Sequence, residues 1–238
     1  MTTSILQKSL GSNMWRKEGR IVIPKRRLVF YAPLWHPQLS GSTFNAWDLV
    51  TPGVHSCTVT SAIYGSQGRI FGGDGKISFP STINYATDTT YSLETWVKVT
   101  TTARQVFAAW GSSTSSTPFI LFYVDSDKYI TMKHRNDESV LATLKDTSLV
   151  VADTWYHVVG VRRAANSWEL YINGVSVDTD ATNVTGAVTL NTFWIGQYQS
   201  TTVNWPLSGT IGEMLFYSDA LTTAEVVHRH QLPKWRYQ

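Results

Sequence analysis

The sequence predicts an all-β protein, a jelly-roll sandwich of two antiparallel sheets with one short C-terminal helix and an extended N-terminal arm. About a dozen short runs alternate apolar and polar residues between Gly, Pro, Asn and Ser clusters, which is typical of strands. Two such runs, 155–163 and 168–172, follow one another before Asn173-Gly174, a strong hairpin signal because both residues tolerate positive φ. Thr222 lies three residues before Glu225, which is the capping box of a single helix.

Size and composition fit one sandwich domain. The chain has 238 residues, of which 42% are hydrophobic and 13% aromatic, enough to fill a core between two sheets. The charged content of 16% argues against disorder, and the single cysteine, Cys57, excludes an intrachain disulfide. No apolar run reaches the length of a membrane span, and the N-terminus lacks the apolar segment of a signal peptide. We therefore expect synthesis in a host cytoplasm.

Residues 1–27 form a basic N-terminal arm on a slightly acidic body. The arm carries one acid and a net charge of +6, whereas residues 28–238 carry a net charge of −3. This asymmetry predicts that the arm docks on a negatively charged partner, although a solvated leader is the alternative. The cations expected to dock are Lys8, Arg16, Lys17, Arg20, Lys25, Arg26 and Arg27.

The body, residues 28–228, reads as one domain because no linker interrupts it. In the run 91–99, Leu93 and Val97 share one face, and Glu94 and Trp96 share the other. The segment 178–185 is predicted to be an open loop, and residues 229–238 a C-terminal tail after a helix of about two turns. The other predicted strands are 28–35, 55–60, 69–71, 77–79, 105–110, 118–124, 128–134, 139–144, 193–196 and 209–217.

Four motifs in order resemble the laminin G-like branch of the concanavalin A-like lectin/glucanase superfamily. They are YSLETWV from Tyr91, DTWYHVVG from Asp153, LYING from Leu170, and IG at Ile195 followed by GTIGEMLFYSDALTTAE from Gly209. The resemblance implies one convex and one concave sheet, with glycans or proteins bound by the concave face or the rim loops. The family is also common in proteins of phage particles, and the opening of the body looks like versions from such genomes, so the resemblance implies a place on a phage particle.

Glycoside hydrolysis needs two carboxylates placed across the scissile bond. Glucanases of the superfamily carry them as Glu-x-Asp-x-x-Glu on one strand, and this sequence has no such motif. Glu94 lies on a suitable strand, but the next position on the same face is Trp96. We therefore expect no enzymatic activity and no catalytic residues.

Calcium is the one cofactor that the resemblance leaves possible. Many relatives hold calcium at the rim of the sandwich with Asp side chains and backbone carbonyls. Asp74 lies in a Gly-rich turn where relatives often carry acids, and Glu213 follows Gly212, where relatives often have Asp. Two acids are few for an ion that prefers six to eight oxygen ligands.

Ten tryptophans exceed what a core alone requires. Trp110 and Trp205 lie beside polar loops, as does Tyr198, so these three are the candidate residues for glycan or partner contact. Exposed aromatic rings there could stack on a sugar, or they could pack on a neighbouring subunit, because Trp and Tyr are enriched at interfaces.

These observations predict a non-catalytic structural, decoration or adhesion protein of a virion. The arm would anchor it to viral capsid or tail proteins, and a lectin-like sandwich would face outward on the particle and bind surface glycans. Self-association into a homo-oligomer is also expected. A free-standing carbohydrate-binding lectin is the alternative, followed by a glycoside hydrolase.

Overall fold

Side chains at alternate positions of the strands pack between two layers and form the core. A computed structural model of the chain describes residues 28–48, 53–80, 90–111, 119–185, 192–198 and 205–237. On the strand Tyr91–Val99, Leu93 and Val97 belong to this core, as the alternation predicts. Glu94 and Trp96 point to the other face, yet they are buried too, because the C-terminal segment covers that face.

Sixteen strands and one α-helix occur in the described residues. The strands are β1 (Leu28–Pro33), β2 (Thr43–Asp48), β3 (Gly53–Thr60), β4 (Ile63–Gly65), β5 (Gly68–Phe71), β6 (Lys76–Pro80), β7 (Tyr91–Val99), β8 (Gln105–Gly111), β9 (Phe119–Val124), β10 (Tyr129–Arg135), β11 (Leu141–Leu149), β12 (Trp155–Ala164), β13 (Ser167–Ile172), β14 (Val175–Asp180), β15 (Thr192–Ile195) and β16 (Gly209–Tyr217). Helix α1 spans Thr223–Gln231, and short 3₁₀ turns span Pro37–Leu39 and Lys234–Arg236.

The strands form two antiparallel sheets, which confirms the predicted fold class. The first sheet has the order β11-β10-β9-β8-β15-β6-β3-β2. The second sheet has the order β1-β16-β7-β12-β13-β14. In addition, β5 pairs with β16, and β4 pairs with β5. One residue pair, Tyr31 with Trp47, connects β1 to β2 and joins the two sheets along one edge.

Aromatic side chains from both sheets meet in the core. The Trp110 ring on β8 lies 4.6 Å from the Phe216 ring on β16, in a T-shaped arrangement. Gly160 on β12 faces β9 and β10 across the core, where an added Cβ would lie 2.2 Å from Met132 Sδ. A side chain at this position would therefore push the two sheets apart.

The turn between β13 and β14 is the predicted hairpin. Asn173 and Gly174 have φ of 53° and 80°, as a type I′ turn requires. The Asn173 side-chain oxygen also accepts a hydrogen bond of 2.9 Å from the backbone N–H of His157 on β12. The hairpin is thereby fixed to the strand beside it.

The prediction of an open loop from residue 178 is wrong at its start, because Asp178 and Asp180 belong to β14. Their carboxylates accept hydrogen bonds of 2.8 Å from the backbone N–H groups of Lys145 and Thr143 on β11. Aspartate is rare in strands, but here it caps exposed donors at the second edge of the sandwich. These hydrogen bonds link β11 of the first sheet to β14 of the second, so no further strand is needed at this edge.

The C-terminal residues, predicted to be a tail from residue 229, pack onto the second sheet. The capping box at Thr222 and Glu225 is confirmed, and α1 begins at the next residue, Thr223. Arg229 of α1 and Tyr237 beyond it are 4% and 2% exposed, because they pack against Glu94 and Trp96 of the second sheet. No helix in the described ranges is long and apolar enough to cross a membrane.

Candidate functional site

The outer face of the first sheet carries a second apolar cluster, separate from the core. Strand β9 reads FILFYV, so Ile120, Phe122 and Val124 enter the core while alternate residues point outward. We call the outward cluster the aromatic face; its members are Val106, Ala109, Phe119, Leu121, Tyr123, Trp194, Tyr198 and Trp205. Helix α1 lies on the other sheet, so it does not cover this surface.

Tyr123 and Trp205 form a stacked pair on the aromatic face. Their rings stack with a centroid distance of 6.0 Å and an interplanar angle of 14°. The carbonyl of Trp205 accepts a hydrogen bond of 3.1 Å from the backbone N–H of Val106, which fixes the segment to β8. Trp205 and Phe119 are half-buried and reach solvent, whereas Tyr123 is 4% exposed.

Three cations lie over rings of the aromatic face. Arg104 lies 4.9 Å from the Trp205 ring, Lys133 lies 5.6 Å from Tyr123, and Arg135 lies 5.5 Å from Phe119. Strands β8, β9 and β10 contain no acidic residue. Within the described residues, no ion pair joins any of the three cations to a carboxylate.

The structure separates the three aromatic residues predicted to contact a ligand. Trp110 is 2% exposed and packs 4.3 Å from the Phe193 ring, so the expectation of an exposed loop indole is wrong. Trp110 belongs to β8, where alternation directs it inward and leaves Ala109 on the outer face.

Tyr198 and Trp205 do lie together on the aromatic face. Tyr198 is 3% exposed, however, and its ring meets Trp194 edge to face at 5.9 Å. It therefore supports the surface, and Trp205 is the predicted residue that reaches solvent.

The outer face of the second sheet holds a buried ionic cluster beneath α1. Arg229 Nε donates to both carboxylate oxygens of Glu94 at 3.0 and 3.2 Å, and Arg229 Nη2 lies 3.3 Å from Glu213 Oε1. His157 Nε2 lies 3.1 Å from Glu94 Oε1, and the Tyr217 hydroxyl donates to Glu94 Oε2 at 3.3 Å. This network attaches the helix to the sheet through charge.

The pKa values of the two carboxylates of this cluster shift in opposite directions from their ordinary value. Burial alone would raise the pKa of Glu94, but the charge of Arg229 and the hydrogen bond from His157 outweigh it and lower that pKa to about 2. Burial raises the pKa of Glu213, and the weaker contact with Arg229 does not compensate. Glu94 is thus the carboxylate that the cluster holds in its charged form.

The calcium prediction rested on Asp74 and Glu213. Asp74 is exposed in the turn before β6, while Glu213 is 3% exposed and bonded to Arg229. In the part of the chain that the structure describes, no group of three or more His, Cys, Asp or Glu side chains is arranged to hold a metal ion. Calcium binding stays a prediction, and Glu213 has a structural partner that sequence alone did not reveal.

The predicted arm, residues 1–27, lies outside the described residues, as do all seven of its cations.

Sequence reasoning missed most of the aromatic face. Phe119 and Tyr123 lie on a predicted strand, but the prediction did not state which face of the sheet they occupy. Strict alternation from Ile120 would have placed them outward. Arg229 lies at the start of the segment predicted to be a C-terminal tail. No local pattern signals its pairing with Glu94, which lies 135 residues earlier in the chain.

The family model for concanavalin A-like lectin/glucanases, in its laminin G form, matches residues 71–227. The chain belongs to the concanavalin A-like lectin/glucanase superfamily. A search of curated proteins gives no match to it. This membership confirms the predicted family.

Solved structures with the same sandwich come from several carbohydrate-related proteins. One is domain 4 of AbnA, an extracellular arabinanase of Geobacillus stearothermophilus, in complex with arabinotriose; the TM-score is 0.61 at 19% identity, over 86% of this chain and 98% of that one. Another is the CBM40 of the Ruminococcus gnavus IT-sialidase bound to α2,3-sialyllactose, with a TM-score of 0.53 at 19% identity, over 60% and 83%.

A sialidase of Trypanosoma rangeli gives a TM-score of 0.65 at 15% identity, over 88% of this chain. The chain corresponds to one third of that sialidase, since 33% of the longer protein is covered. At 15% to 19% identity, these similarities establish a shared fold.

Proposed function

We propose that this protein is a non-catalytic glycan-binding sandwich of a virion, and that its aromatic face contacts the sugar. The observation that carries the glycan-binding role is the stacked pair Tyr123 and Trp205, with Trp205 and Phe119 reaching solvent on the sheet that α1 does not cover. Fixed aromatic rings offer a sugar apolar contact at little cost in side-chain entropy.

The position of the buried acids supports a non-catalytic role. Glycoside hydrolysis needs two carboxylates that reach the scissile bond. Glu94 and Glu213 lie on the same sheet face, but they are 0% and 3% exposed beneath α1 and share Arg229. A sugar cannot reach either carboxylate while the helix is in place.

Binding to a panel of immobilised glycans tests the glycan-binding role. Trp205→Ala should lose most of the binding while remaining folded, because its ring is stacked on Tyr123 and reaches solvent on the aromatic face. Trp235→Ala is the matched control, because Trp235 is 63% exposed within the 3₁₀ turn Lys234–Arg236, away from the aromatic face. Equal binding by both variants would remove the aromatic face from the proposal.

The basic arm supports the particle role. Residues 1–27 carry a net charge of +6 against −3 for the rest of the chain, which suits docking on an acidic surface of capsid or tail proteins. In this role the protein is made in a host cytoplasm, joins the particle surface, and self-associates so that several weak sugar contacts add up.

Two observations test the particle role. Capsid or tail genes beside this gene would support it, and a genomic neighbourhood without them would favour the free-standing lectin. Replacement of the seven arm cations by Gln should abolish incorporation into particles while leaving glycan binding intact. Normal incorporation of this variant would contradict anchoring by the arm.

A further inference from the structure

We infer that the aromatic face selects anionic glycans, those bearing a carboxylate or a sulfate, through Arg104, Lys133 and Arg135. This inference rests on the proposed glycan-binding function and specifies its ligand class. The observation behind it is that a cation lies over each of three rings of the aromatic face.

The three cations lie along the full length of the surface. Arg104 precedes β8 at one end, and Arg135 lies at the other end, where β10 pairs with Phe119 of β9. Lys133 lies between them, since its pairing partner is Leu121. The ring contacts keep the charged groups at the surface, because a cation over an aromatic face is attracted by the ring quadrupole.

These cations retain their capacity to bind an anion. In the described part of the chain, the charged side-chain groups of Arg104 and Lys133 have no hydrogen bond or ion pair with a protein acceptor. Arg135 donates one hydrogen bond of 3.2 Å, to the Ser139 hydroxyl. By contrast, Lys145 at the edge of the same face is bound by Asp125 and Asp127 at 2.9 and 3.0 Å.

A short anionic sugar fits this arrangement better than a nucleic acid does. Single-stranded nucleic acid binds where successive bases stack on several exposed rings, and only Phe119 and Trp205 reach solvent here. Residues 28–238 also carry a net charge of −3, which disfavours binding of a long polyanion. A compact anionic ligand would be influenced mainly by the three cations nearest to it, because more distant charges are screened.

Three probes that share one neutral core test the inference: lactose, α2,3-sialyllactose and 3′-sulfolactose. Titration of the full chain should give tighter binding to at least one of the charged probes than to lactose. Raised salt should weaken the charged interaction, because exposed charges are screened. Arg104→Gln and Lys133→Gln should each weaken charged-probe binding by roughly tenfold, the equivalent of one lost charge-assisted hydrogen bond.

Lys98→Gln is the matched control, because Lys98 lies 5.5 Å over the Trp155 ring on the second sheet. It should leave binding of all three probes unchanged. Equal affinity for lactose and the charged probes, with no effect of the Arg104 and Lys133 variants, would overturn the inference while the proposed glycan-binding function stands. Tighter binding of an oligothymidylate than of any sugar would also overturn it.

If a broad glycan panel, neutral and acidic, gives no binding at all, both the inference and the glycan-binding function fail. The experiment therefore separates the two failures.

Discussion

Charged side chains have different partners on the two outer faces of the sandwich. On the second sheet, α1 covers Glu94 and Glu213, and Arg229 neutralises them within the protein. On the first sheet, Arg104, Lys133 and Arg135 lie over aromatic rings, without a carboxylate partner in the described residues. One face uses charge to hold the fold together, whereas we propose that the other keeps charge available for a ligand. The difference follows from which sheet the C-terminal segment covers.

The largest effect is expected from Arg229→Met, which leaves Glu94 and Glu213 buried without a cation. Removal of one partner of a buried ion pair costs about 3–5 kcal/mol. The free energy of unfolding, measured with urea, should fall by about this amount. Lys145→Met, which removes the ion pairs of a 36% exposed lysine with Asp125 and Asp127, is the control and should change stability less. Similar losses for both variants would show that the buried cluster does not hold the helix.

Trp110 and Trp205 lie on opposite sides of the first sheet, so their substitution should lower stability by different amounts. Trp110→Ala opens a cavity in the core and should lower the free energy of unfolding by about 3–5 kcal/mol. Trp205→Ala should cost clearly less, because its ring is half-buried on the aromatic face. Thermal and urea unfolding of both variants test this order. A larger loss for Trp205 would contradict the assignment of the two faces.

A smaller effect is expected from pH at Glu94. Since its pKa falls from 4.5 to about 2 on folding, its charged form stabilises the protein above about pH 4.5, and this contribution is lost as pH falls towards 2. Glu213 has a raised pKa, so its contribution has the opposite sign and declines as pH rises through that raised value. The stability gap between the native chain and Glu94→Gln should therefore shrink towards pH 2. A gap that does not vary with pH would contradict a charged Glu94.

The strands and their family were predictable because their signals are local. Alternation assigned Leu93 and Val97 to the core, Asn173-Gly174 marked its hairpin, and Thr222 with Glu225 marked the start of α1. The packing of the C-terminal residues was not predictable, because Arg229 is stabilised by an acid that is distant in sequence. The site was predicted in part: Trp205 lies on the aromatic face.

Trp110 was misplaced because nearness to a polar loop says nothing about the side of a strand. Only the alternation within β8 and the packing of Phe193 and Phe216 against the indole decide that it faces inward. The cations were overlooked for a related reason. Arg104 and Trp205 are far apart in sequence and meet only because the backbone of Trp205 bonds to Val106, next to the start of β8.

The central claim is that the ligand contacts the aromatic face. The most direct measurement is NMR of the indole N–H signals during titration with α2,3-sialyllactose, assigned with single Trp→Phe variants. Trp205 should show the largest shift, and Trp235, which is exposed elsewhere, should not move. A shift of Trp235, or of Trp155 on the second sheet, with a stationary Trp205 would contradict the claim.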